Sequence, residues 1–323
     1  MLKILITHDG SECSEKALED LRKAGMPPQA EAVVLTVADT FLNEKSLNAS
    51  DYAALSIGNY SMEEAVNEAQ GLVREAKTIA KKAAQTLKKY FPSWTVHEES
   101  VSNFPVSAII DKIQSWRPDL VVMGSHGRSA AGRLLFGSVS ERILSHVHCN
   151  LRIFRNRRKE KYSEAPLRVL VAFDGSEESE IAFETALRRD WPKGTAIRLL
   201  TVMDTRLSLA FIFPTAPIRY WMRDKDKDPA SWIKRMLADQ KKRIKQKGFI
   251  AYAETIQGDP KRVLLKEAEE WGADCIFLGT RGLSHKGRMI AGSVSTALAT
   301  HAQCSVEVVH RLWESASCCD KAR

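Results

Sequence analysis

The chain has 323 residues, 44% of them hydrophobic, with a formal charge of +8 and a pI near 9.1. That length accommodates two ordinary domains, and the composition is that of a folded chain, not a disordered one. No run approaches the roughly 20 apolar residues of a membrane span. Strand-like sequence begins at Leu2, so no cleaved leader is expected. The six cysteines, Cys13, Cys149, Cys275, Cys304, Cys318 and Cys319, follow no framework spacing; they exclude a disulfide scaffold and point to a reducing, cytoplasmic setting.

In chain order, apolar runs of strand length fall near residues 2–8, 31–38, 94–101, 119–124 and 149–154. Segments of helical period fall between them, near 12–24, 61–90, 105–116 and 137–146. This alternation is the pattern of a parallel sheet covered by helices. Ser11 and Ser176 read as helix N-caps, each with acidic residues in the turn that follows, Glu12 and Glu15 or Glu177, Glu178 and Glu180.

The second half repeats the first. Leu2 to Ser11, ending Asp9-Gly-Ser, is answered by Leu167 to Ser176, ending Asp174-Gly-Ser, at an offset of 165 (174 minus 9). Val37 and Val202 keep that offset. Gly124 and Gly279 stand 155 apart (279 minus 124), so the second copy has lost a net ten residues in between. The expected fold is therefore α/β, with two tandem doubly wound five-stranded domains. Domain one is placed at residues 1–155 and a charged linker at 156–166. Domain two follows at 167–311 and a tail at 312–323. The basic run of Arg152, Arg155, Arg157, Arg158, Lys159 and Lys161 reads as solvated linker, and the Lys/Arg-rich stretch from Arg219 to Lys247 as a solvated helix face.

Each copy carries a spaced glycine loop after its fourth strand. Gly124, Gly127 and Gly137-Ser138 in the first are matched by Gly279, Gly282 and Gly292-Ser293 in the second. Such glycines are expected to take positive φ and let the backbone approach a phosphate, and the helix beginning at Gly137-Ser138 offers N–H groups to an anion. Ser138, Ser140, Ser293 and Ser295 are expected to add hydroxyl contacts to phosphate or ribose oxygens. In an open parallel sheet a ligand lies beyond the carboxyl ends of the strands, where Asp9 and Asp174 fall. Their carboxylates suit a ribose or a base edge, and equally a simple turn or cap, because Asp-Gly-Ser is turn chemistry. Val37 and Val202 suit an apolar contact with a flat base.

These residues carry a resemblance. Asp9-Gly-Ser, Val37, Val-Val-Met123-Gly124-Ser-His126-Gly127-Arg128 and Gly137-Ser-Val139 resemble the ATP-binding branch of the universal stress protein family. So do Asp174-Gly-Ser, Val202, Phe-Leu278-Gly279-Thr-Arg281-Gly282 and Gly292-Ser-Val294. The resemblance implies strand order 3-2-1-4-5 in each copy, an adenine nucleotide (ATP, ADP or AMP) along the loop with Mg2+ at the phosphates, and pairing of two units through their fifth strands. It implies that the ligand is held by Thr7, Asp9, Val37, Met123, Gly124, His126, Gly127, Arg128, Gly137, Ser138, Val139 and Ser140. In the second copy it would be held by Asp174, Val202, Leu278, Gly279, Arg281, Gly282, Gly292, Ser293, Val294 and Ser295. Three departures stand out. Insertions follow the second strand of each copy, from Thr40 to about Ser61 and from Phe211 to Trp232, and either could cover or block the nucleotide site. The family's Gly-x-Pro turn is kept as Gly258-Asp-Pro260 but is Asn103-Phe-Pro105 in copy one, where the asparagine is expected to tolerate positive φ. The fifth strands begin Cys149-Asn and Cys304-Ser instead of Cys-Pro.

No nucleophile and base stand at a spacing that demands catalysis, so a nucleotide-dependent stress-response or regulatory binding protein leads, with slow ATP hydrolysis as the alternative. His8 could polarise a phosphate, but Phe173 takes its place in copy two. His146, His148 and Cys149, with His301 and Cys304, offer a zinc alternative, against which stands the ordinary role of histidines at helix ends. No membrane or nucleic-acid partner is expected. The apolar fifth strands, Leu151 to Phe154 and Val306 to Val309, are expected to pair within one chain, since unpaired edges invite aggregation. Whether two chains also associate stays open.

Overall fold

Residues Leu2–Thr7 form the first strand because three consecutive residues, Ile4, Leu5 and Ile6, are buried at 0–1% exposure, as befits a strand covered on both faces. The computed structural model describes residues 1–40, 62–127, 136–155, 166–203, 229–280 and 292–310. The expected tail, all but the last residue of the expected linker, and nearly all of the expected insertions at 40–61 and 211–232 fall outside the described residues.

The chain divides into two compact units, Met1–Glu19 with Pro28–Val147, and Asp20–Pro27 with His148–Arg323. In the first unit, strands β1 (Leu2–Thr7), β2 (Ala30–Ala38), β3 (Thr95–Ser102) and β4 (Leu120–Gly124) lie in the order β3-β2-β1-β4, all parallel. Helices α1 (Glu12–Leu21, its last two residues counted with the second unit), α2 (Met62–Tyr90), α3 (Pro105–Trp116) and α4 (Ser138–His146) complete this part of the sequence.

The second unit holds β5 (Asn150–Phe154), β6 (Arg168–Ala172), α5 (Glu177–Leu187), β7 (Ala196–Met203), α6 (Pro229–Gln246), β8 (Ile250–Gln257), α7 (Pro260–Trp271), β9 (Cys275–Gly279), α8 (Ser293–His301) and β10 (Ser305–Val309). Its order is β5-β10-β9-β6-β7-β8. Every pair from β10 to β8 is parallel, and β5 meets β10 antiparallel. Strands β6 to β10 thus have the expected order 3-2-1-4-5. The fifth strand of copy one packs with the second unit, against the fifth strand of copy two. The core of this unit is largely aliphatic around a group of aromatic rings. Phe183 and Phe277 are fully buried, Trp191 meets Phe277 edge-on at 6.0 Å, and Trp191 Nε1 donates to Ala186 O at 2.7 Å.

The repeat extends to single hydrogen bonds. Lys3 N donates to Asp119 Oδ2 at 2.7 Å, and at the equivalent place Arg168 N donates to Asp274 Oδ2 at 2.8 Å. Asn103 N donates to Ala38 O at 3.2 Å, and Gly258 N to Met203 O at 2.9 Å. The turn before α3 therefore survives the glycine's loss, though not as expected. Gly258 has φ +148, but Asn103 is not among the positive-φ residues; its own Oδ1 instead accepts from Phe104 N at 2.8 Å, an arrangement open to Asn and closed to Gly. Helix α1 also ends three residues earlier than expected. Lys23 N and Ala24 N turn back to Asp20 O and Leu21 O, and Gly25 follows at φ +60.

One expectation is overturned outright. Arg152 and Arg155, read as solvated, are 1% and 9% exposed. The charge count of the run hid that its first members lie on a buried strand and at its end, where burial selects arginines with partners. Arg155 Nη1 donates to the carbonyls of Ala299 and Thr300 near the end of α8.

Candidate functional site

The carboxyl ends of β1 and β4 bring Asp9 and the glycine loop together. Asp9 Oδ1 accepts from Ser11 N at 3.0 Å, and Ser11 Oγ accepts from Ser14 N at 3.2 Å, so Asp9-Gly-Ser is both a turn and the start of α1. Gly10 has the positive φ, +77, that the turn requires. Copy two repeats the arrangement: Asp174 Oδ1 accepts from Ser176 N at 3.0 Å, Ser176 caps α5 through Ser179 N at 3.2 Å, and Gly175 has φ +80. The turn reading of both aspartates is thus real, and it orients them. A β-carbon on Gly127 would lie 2.7 Å from Asp9 Oδ2, so the loop approaches the carboxylate as closely as only glycine permits.

The described loop glycines work by small size, not by left-handed backbone. Among the described residues, none of Gly124, Gly127, Gly137, Gly279 and Gly292 has positive φ; Gly137 and Gly292 are extended N-caps at φ −69 and −80. This corrects the expectation drawn from their spacing. Gly124 gives room to Cys13 Sγ, 2.9 Å from where a β-carbon would stand, and Gly279 gives room to the Glu178 backbone at 2.8 Å. Each lets the first turn of a helix settle on the end of a strand.

The start of α4 is fixed by two bonds, Gly137 N to Ser125 O at 2.7 Å and Ser140 Oγ to Gly124 O at 2.9 Å. In copy two Gly292 N donates to Thr280 O at 2.7 Å and Ser295 Oγ to Thr280 O at 3.0 Å. Ser140 and Ser295 are 3% and 2% exposed and direct their protons inward, so they brace the loop. Ser138 and Ser293 are exposed, and Val139 and Val294 half-exposed, in the first turn. Neither N-cap receives a side-chain hydrogen bond, which leaves the amides of this turn without the internal acceptor that Ser176 gives α5 or Asp259 gives α7. Such a turn suits an anion.

Val37 and Val202 stand next to last in β2 and β7, half-exposed, following the buried Thr36 and Thr201. Met123 and Leu278 are each 3% exposed and belong to the buried core. Thr7 Oγ1 lies 3.5 Å from Val122 O between β1 and β4. His126 Nδ1 lies 3.0 Å from Ser125 Oγ. Ser125, which the sequence did not single out, is 1% exposed and serves the frame, not as an open nucleophile. Its neighbours could have flagged it, since Ser125 and Thr280 keep a hydroxyl at the same place in both copies. His8 is 3% exposed and its Nδ1 accepts from Gly10 N at 3.2 Å, a turn-holding contact. Arg128, Arg281 and Gly282 lie outside the described residues. Among the described residues no group of three or more His, Cys, Asp or Glu side chains could hold a metal ion; His146 Nδ1 lies 2.7 Å from Arg142 O at the end of α4.

The model of the universal stress protein family matches residues 1–155 and 167–310. The chain belongs to the universal stress protein family. A universal stress protein of Methanocaldococcus jannaschii is 26% identical over 161 residues, 49% of this chain and 84% of that one. A putative universal stress protein of Staphylococcus epidermidis is 32% identical over 143 residues, 44% of this chain and 82% of that one. Each alignment is about one copy long. Over both copies, the crystal structure of a universal stress protein from Archaeoglobus fulgidus covers 97% of each chain at a TM-score of 0.61 and 21% identity, which shows the shared tandem fold. No helix among the described residues is long and apolar enough to cross a membrane.

Proposed function

We propose that this universal stress protein binds an adenine nucleotide in each copy, ATP in the first instance, and acts as a nucleotide-dependent regulatory or stress-response factor in the cytoplasm. The observation that carries the reading is the apposition of Asp9 and Gly127 in front of the side-chain-uncapped first turn of α4. A carboxylate that accepts from ribose or base, a bare backbone beside it and a helix N-terminus for phosphate are the three parts a nucleotide needs. Val37 and Val202 supply the apolar face for the base. Residues 1–155 and 167–311 are taken as the two binding domains, with 156–166 as linker and 312–323 as tail.

Magnesium enters on the phosphates of the nucleotide. The donors of the described loop are hydroxyls and amides, which serve phosphate oxygens better than a cation. The buried frame around Ser125 and the turn-holding contact of His8 favour binding over turnover, so hydrolysis is expected at most as a slow side reaction.

Equilibrium dialysis with ATP tests the reading. Saturable binding that falls at least tenfold on Asp9→Ala or Asp174→Ala, site by site, supports it. Absence of binding at millimolar nucleotide removes it.

A further inference from the structure

Within the second unit, β5 and β10 face each other antiparallel with Arg152 opposite Glu307, flanked by Ile153 opposite Val306 and Leu151 opposite Val308. The two charged residues hold equivalent places in the repeat, 155 positions apart (307 minus 152). The pairing is therefore centred on them. Any pairing of a fifth strand with its own kind from another chain, in the same register, would set Arg152 against Arg152 or Glu307 against Glu307.

Both side chains are inside the protein, Arg152 at 1% and Glu307 at 0% exposure. Arg152 Nη1 lies 3.2 Å from Glu307 Oε2, and its Nη2 lies 2.7 Å from Asp20 Oδ2. Arg189 Nη2 pairs with Glu307 Oε1. The result is a row of alternating sign: Asp20, Arg152, Glu307, Arg189. Copy one contributes the first acid and base, and copy two the second. The repeat positions equivalent to Asp20 and Arg189 are Thr185 and Ala24, so neither copy alone holds the complete row. Burial of like charges face to face is strongly unfavourable, whereas the alternating row satisfies every member.

We propose that this row is the specificity element of the fifth-strand surface: it accepts the fifth strand of the other copy and rejects a second strand of its own kind. The surface is closed to self-pairing by charge, although its apolar neighbours Leu151, Ile153, Val306 and Val308 would pack equally well in either combination. A buried ion pair is weak evidence for stability; its best-attested use is to fix register and partner.

The test uses full-length chains refolded at tens of micromolar, half of them isotopically labelled, with mixed-label dimers counted by native mass spectrometry. The variant Asp20→Asn, Arg152→Met, Arg189→Met, Glu307→Met removes the charges but keeps the bulk. It is expected to raise the share of mixed-label dimers at least tenfold over the unmodified chain. An unchanged share overturns the proposal. A second arm mixes Arg152→Glu chains with Glu307→Arg chains. Each alone buries like charges; together they can pair across chains. The heterodimer is expected to exceed either homodimer at least tenfold, and equal shares, or no heterodimer, overturn the proposal even if the apolar variant fails to fold.

Discussion

Asp9 Oδ2 occupies the space that a side chain at residue 127 would need, 2.7 Å from where its β-carbon would stand. Gly127→Ala must therefore displace the carboxylate or the loop. Because Gly127 is not at positive φ, the backbone itself tolerates alanine, and the expected loss is of ligand, not of fold. Nucleotide affinity should fall at least tenfold by calorimetry while unfolding free energy stays within about 1 kcal/mol of the parent.

Gly279→Ala makes the contrasting case. Its β-carbon would meet the Glu178 backbone at 2.8 Å, and backbone yields less than the tip of a side chain. The start of α5 must shift, at about 1–3 kcal/mol by urea denaturation. Equal stability losses for Gly127→Ala and Gly279→Ala would contradict this division of labour.

Arg117 ends α3 in the left-handed region, φ 51 and ψ 64, where copy two places Gly272 at φ 68. Copy one carries a strain that copy two avoids. Arg117→Gly is expected to stabilise the chain by about 0.5–1 kcal/mol, the relief of left-handed strain exceeding the added freedom of the unfolded chain. A thermal or urea midpoint below that of the parent would show that Arg117 contributes more through its side chain than its backbone costs.

Cys275 is 2% exposed and its sulfur lies 3.2 Å from Arg152 Nη1. Burial pushes its pKa up, and although Arg152 pulls it back, Glu307 and Asp20 add to the rise, to about 12 from an ordinary 9.0. Arg152 loses by burial but gains more from Asp20, Cys275 and Glu307, so its pKa stands well above its usual value and it stays charged. As pH rises above about 9 the unfolded thiol loses its proton while the native one keeps it. The native state then binds more protons, so stability falls, by about 1.4 kcal/mol per pH unit from this group, until the native thiol also ionises. Urea titrations at pH 8 and 10 should show a loss in the parent larger by about 1.4 kcal/mol than in Cys275→Ala. Parallel losses would mean that the thiol titrates alike folded and unfolded.

Much of the fold was legible because both hydrophobic period and repeat spoke for the same elements. Most of the strands among the described residues follow from apolar runs such as Leu2–Thr7 and Cys275–Gly279, and the caps at Ser11 and Ser176 follow from chemistry local to four residues. Two things were not legible. The glycines of the loop carry the same letter whether they are needed for positive φ or for close approach, and only the packing of Cys13, Asp9 and Glu178 against them tells the two apart. Arg152 and Arg155 belong by sequence to a basic run, and only the pairing of β5 with β10 shows that a carboxylate and helix-end carbonyls await them.

Calorimetric titration of the full-length chain with ATP in the presence of magnesium tests the central claim most directly. Two nucleotides per chain are expected, at unequal affinity because His8 and Phe173 differ beside the two sites, with one site lost on Asp9→Ala and the other on Asp174→Ala. No binding at millimolar nucleotide, or binding that both substitutions leave untouched, would contradict it.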